Sequence, residues 1–89
     1  MPEKLTLNDG TELNGHAQET DDVLFLYMHG ITLPEAVEVL KDPEKTMRIV
    51  ASENGQETVY EGFGHLYTVT EGRDGTISAG IKRGVVSNG

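Results

Sequence analysis

Eighty-nine residues without a cysteine leave room for one small core and for neither disulfides nor thiolate metal ligands, so packing or oligomerisation has to supply stability. Fifteen acidic against seven basic side chains give a net charge of −8, a balance that speaks against direct binding to a phosphate backbone or an anionic membrane. Met1-Pro2-Glu3-Lys4 lacks the basic and apolar pattern of a secretory leader, and no apolar run approaches the roughly 18 residues that cross a bilayer, so a soluble protein made in the cytoplasm is expected.

Lys4-Leu5-Thr6-Leu7 and Thr11-Glu12-Leu13 flank Asn8-Asp9-Gly10, and the Asp-Gly pair predicts a hairpin turn between two short antiparallel strands. Residues 14–22 read as a polar connection, with Glu19, Asp21 and Asp22 making it the mobile or partner-facing segment of the first half. Val23 to Met28 is almost continuously apolar and predicts a central strand, covered by a helix on one side and by a second sheet layer or a partner on the other. Thr32 and Glu35 stand at capping-box spacing, Ile31 at the staple position and Pro34 in the first turn, where its missing N–H costs nothing. Leu33, Ala36, Val37 and Leu40 then supply one apolar helix face, and Asp42-Pro43 ends it, leaving Pro43-Glu44-Lys45 for a tight turn or one helical turn capped by Asp42.

Met47, Ile49 and Ala51 alternate with Arg48 and Val50, Asn54-Gly55 turns the chain, and Glu57 to Glu61 returns it. Gly62-Phe63-Gly64 predicts a bulge or corner before a strand over 65–70, and Arg73-Asp74-Gly75 predicts the turn into a last strand over 76–82. The expected fold is α+β, a small, mostly antiparallel sheet or partly closed barrel of six to seven short strands with one packed helix. A single domain over 1–84 would end in a short tail, 85–89, whose Val85 and Val86 could pair at an edge.

Residues 1–44 hold ten acids and two bases, whereas 45–89 hold five of each, so the excess charge lies in the first half. That asymmetry admits an acidic mimic of nucleic acid that occupies a basic channel on another protein, alongside the simpler role of keeping a small protein soluble. His16, His29 and His65 lack metal-site spacing, so no metal or cofactor is expected. Ser52, Ser78 and Ser87 lack a nucleophile elbow, and Glu57, Glu61 and Glu71 are numerous enough to suggest a hydrolytic pair by chance. An enzyme is not expected, with a small hydrolase the remaining catalytic alternative. Tyr60, Phe63 and Tyr67 could converge on the sheet as an aromatic anchor beside Glu61 and His65. Alternatively the rings pack inward, which is the expectation for Tyr27 and the better reading of Phe63.

The passage Leu33 to Thr46, followed by Thr58-Val59-Tyr60-Glu61-Gly62-Phe63, resembles small proteins encoded among the structural genes of tailed phages and prophages of Gram-positive bacteria. Leu5 to Leu13 is similar to their usual start. The resemblance covers roughly half the chain, carries no active-site signature, and implies a virion-assembly or tail-associated protein found in the virion after its synthesis. It would act by self-association or by binding other virion proteins, through a sheet edge and the neighbourhood of Tyr60, Phe63, His65 and Tyr67.

Overall fold

Four hairpin turns set the course of the chain. Asn54 and Gly55 both take left-handed backbone angles, φ 54° and 79°, which matches the twist of a two-residue hairpin and explains why an Asn-Gly pair stands there. At the turn after Leu7, Gly10 has φ 92° and the Leu7 amide donates to the Thr11 carbonyl at 2.8 Å. At the last turn, Gly75 has φ 87° and the Gly72 amide donates to the Thr76 carbonyl at 2.8 Å. Asp21, with φ 51°, turns the remaining hairpin.

The structure is a computed structural model, and it describes residues 3–83. The tail expected over 85–89 lies outside them. The elements run β1 (Lys4–Thr6), β2 (Glu12–Thr20), β3 (Val23–His29), α1 (Leu33–Leu40), α2 (Pro43–Thr46), β4 (Arg48–Glu53), β5 (Gln56–Glu61), β6 (Phe63–Glu71) and β7 (Ile77–Arg83). All seven strands form one antiparallel sheet in the order β5-β4-β1-β2-β3-β7-β6, which does not close. The α+β class and the partly open sheet are therefore as expected, with α2 as a second, single-turn helix beside α1.

The two outermost strands, β5 and β6, are consecutive in the chain and joined by Gly62 alone. Since successive Cα atoms are 3.8 Å apart, Glu61 and Phe63 lie within about 7 Å of each other, and the sheet has to curl until its two edges meet at that corner. Gly62 supplies the turn with φ 91° and donates its amide to the Met47 carbonyl at 3.3 Å. The two edge strands do not pair with each other, and α1 and α2 pack against β6. The β1–β2 turn is tied to α2 by the Asn8 amide on the Lys45 carbonyl at 2.9 Å and by Asn8 Nδ2 on the Glu44 carbonyl at 3.1 Å.

The concave face holds the core: Leu5, Leu24, Leu26, Met28, Ile49, Phe63, Ile77 and Ile81 from the strands, with Ala36 and Leu40 from α1. The capping box of α1 forms as its sequence dictates, with the Thr32 amide on Glu35 Oε1 at 3.0 Å and the Glu35 amide on Thr32 Oγ1 at 3.3 Å. Complete burial of Leu40 contributes about 2 kcal/mol, which an isolated eight-residue helix would lack.

Three local expectations are corrected. Residues 14–20 are strand, paired with β3 along their whole length, with Asn14, His16, Gln18 and Thr20 on the convex face and Gly15, Ala17 and Glu19 on the inward face. Met47 is 50% exposed and caps α2, so it does not share the inner face of Ile49 and Ala51. Tyr27 is half-buried on the convex face, because Leu24, Leu26 and Met28 take the inward positions of the alternating strand.

Candidate functional site

The aromatic residues near the β5–β6 corner do not converge. Phe63 is 1% exposed and belongs to the core, with the Arg83 guanidinium 4.5 Å from its ring centre. Tyr60 stands opposite Ile49 and shares its concave face, where burial, followed by the charges of Glu19 and Glu53, pushes its hydroxyl above the ordinary value of 10.0. Tyr67 is 60% exposed on the convex face, with Lys82 Nζ 4.5 Å from its ring centre. Register shifts between Phe63 and His65 and between Leu66 and Thr68 make bulges at Gly64 and Tyr67. The first is the irregularity that Gly62-Phe63-Gly64 predicts, and the second interrupts the strand expected over 65–70 partway along it. His65 is exposed opposite Lys82. An anchor built from Tyr60, Phe63 and Tyr67 together is thus corrected to one exposed ring, one half-buried ring and one core ring.

The acidic candidates are also divided. Glu19 Oε2 accepts from Arg83 Nη2 at 2.7 Å, and the Arg83 amide donates to the Asp22 carbonyl at 2.8 Å. Asp21 and Asp22 remain exposed at the β2–β3 turn, so the expected loop reduces to these two residues. Glu61 pairs with Arg48 at 3.5 Å on the β5 side of the sheet, while Glu71 ends β6 at the opposite edge, so no cleft unites Glu57, Glu61 and Glu71. His16 stacks on Tyr27 with ring centres 5.0 Å apart and meets Glu3 Oε1 through Nδ1 at 3.1 Å. Among the described residues, no group of three or more His, Asp or Glu side chains is placed to hold a metal ion.

The feature with binding potential is the backbone of β5. Among the described residues this strand pairs with β4 only, and of its residues Gln56 to Glu61 all but Tyr60 are exposed. The other edge, β6, is flanked by α1 and α2, whereas among the described residues no helix packs on β5 in this way. Val59 is 47% exposed next to Val50, which adds apolar area to the convex side of the edge. On the concave side a cleft of about 290 Å³ opens over Ala17 and Ala51, walled by Thr58 and Tyr60. Edge strands are commonly blunted by proline, lysine or a bulge, and β5 has none of these, only Glu57 and the Arg48-paired Glu61. Sequence reading placed the strand but not its edge position, which depends on the nonlocal pairing of β4 with β1.

Together these features define a single curled α+β sheet with one edge that the described residues leave unprotected. No protein-family model, curated protein or solved structure matches this chain.

Proposed function

We propose that this protein is a non-catalytic assembly module that joins a second copy of itself by pairing β5 with β5 across a two-fold axis. The observation that carries this reading is the six-residue edge of β5, which the described residues leave uncovered. A six-residue strand spans about 20 Å, enough for several main-chain hydrogen bonds, and a two-fold contact uses the same patch twice. Pairing centred on Thr58 would set Thr58 against itself, Gln56 against Tyr60 and Glu57 against Val59, with no like charges directly opposite. Centring on Val59 instead would oppose Glu57 and Glu61, which costs electrostatic energy and disfavours that register.

The resemblance of residues 5–13, 33–46 and 58–63 to phage and prophage structural proteins supplies the biological setting of the proposal, a part of a virion or its tail. Detection of the chain in purified particles would agree with that setting, and its consistent absence from them would count against it.

Because the chain has no cysteine, a single Thr58→Cys substitution gives an unambiguous test. Directly opposed residues in an antiparallel pair have Cα atoms about 4.5–5.5 Å apart, within disulfide reach. Mild oxidation of Thr58→Cys is expected to yield a disulfide-linked dimer, and Thr70→Cys, at an exposed position of β6, to give no disulfide-linked species. Equal crosslinking of both variants, or none of Thr58→Cys, would refute the β5 contact.

A further inference from the structure

Between α1 and the adjoining ends of β2 and β3 lies a groove of about 500 Å³, within the size range of ligand sites. Leu13, Ile31 and Val39 form its apolar part, each half-buried and packed against the core. Glu12, Glu35 and Glu38 contribute to its wall, and no lysine or arginine lines it. We infer that this groove binds a segment of another protein that presents an apolar side chain flanked by Lys or Arg.

The charge pattern selects that occupant. An apolar side chain would cover Leu13, Ile31 and Val39, while flanking cations would meet carboxylates on more than one side. Lys4 Nζ lies 3.3 Å from Glu12 and Lys41 Nζ 3.1 Å from Glu38, but all four side chains are well exposed. Such surface pairs are weak, and an incoming cation can replace them. Glu35 uses one oxygen in the capping box, which fixes the start of α1 beside the groove. Two strands, β4 and β1, separate β2 from β5, so the inference does not rest on the edge contact.

The test is a titration of the isotope-labelled full chain with the peptide Lys-Leu-Ala-Lys-Leu-Ala-Lys-amide, followed by amide chemical shifts. Shifts are expected to concentrate around Leu13, Ile31 and Val39, to fade in high salt, and to be absent with a control carrying Glu for Lys. Glu12→Lys with Glu38→Lys, both at exposed positions, is expected to weaken binding by about tenfold. Leu13→Ala is expected to weaken it without changing the salt dependence. Absence of shifts, shifts centred on β5 or the convex face, or equal binding by the charge-reversed variant would overturn the inference. Dissociation of a self-assembled species by the two charge reversals would assign the groove to a second copy and overturn it as well. Failure of the β5 contact is read separately, from loss of the Thr58→Cys dimer, and leaves this titration interpretable.

Discussion

Glu35, Asp9 and Asp74 each use a carboxylate to hold a local turn, and this makes their ionised forms part of the fold. The Thr32 amide and hydroxyl hold Glu35 below its ordinary 4.5, and the Thr11 hydroxyl and amide hold Asp9 below 3.8. The Thr76 amide and hydroxyl do the same for Asp74. A carboxylate with a lowered folded pKa contributes stability above its unfolded pKa and loses it as pH falls through the folded value. Stability is therefore expected to decline below about pH 4.5 through Glu35 and further below about 3.8 through the two aspartates. Urea unfolding of wild type and Glu35→Gln checks this, since the variant should lose the Glu35 share of the acid dependence. A wild-type midpoint flat from pH 5 to 3 would contradict it. At the same scale, Phe63→Ala is expected to cost about 3–5 kcal/mol and Tyr67→Ala under about 1 kcal/mol, because one ring fills the core and the other stands in solvent beside Lys82. Equal losses for the two would contradict their placement. The sequence distinguished these rings only in part. Scarce aromatics favoured a core role for Phe63, but the bulge that exposes Tyr67 depends on its register with β7.

Among the elements, hairpins and helix were the most legible because their determinants are local. Asn54-Gly55, Asp9-Gly10 and Asp74-Gly75 mark turns through backbone angles, and Thr32 with Glu35 marks the helix start through two reciprocal hydrogen bonds. The strand β2 was hidden for the opposite reason. Its convex residues Asn14, His16, Gln18 and Thr20 are polar, and its inward residues after Leu13 are small or charged, so apolar alternation is absent. What makes it a strand is its pairing with β3, and Gly15 shows how close that approach is, since an added methyl would run into the Tyr27 carbonyl oxygen. Gly15→Ala is expected to destabilise the fold by more than about 2 kcal/mol. Chemical denaturation measures this, and a change within about 0.5 kcal/mol, the usual range for a neutral surface position, would contradict the close packing of β2 on β3.

At the scale of the molecule, a chain with one small core curls its sheet around that core, and among the described residues its edge strand β5 is left without a cover. The class of fold could be read from the succession of short strands around one capped helix. The candidate site could not, because the edge exists only once β4 has paired with β1 and the corner at Gly62 has sent the chain to the other side of the sheet. The acidic first half likewise lost its apparent unity, with Glu19 joined to Arg83 and Glu12, Glu35 and Glu38 gathered at the groove. Light scattering coupled to size exclusion, run on the wild-type chain over a series of protein and salt concentrations, tests the proposed assembly most directly. Main-chain pairing reinforced by Val59 predicts a discrete dimer that grows with protein concentration and persists in high salt; a monomer at every concentration would contradict it.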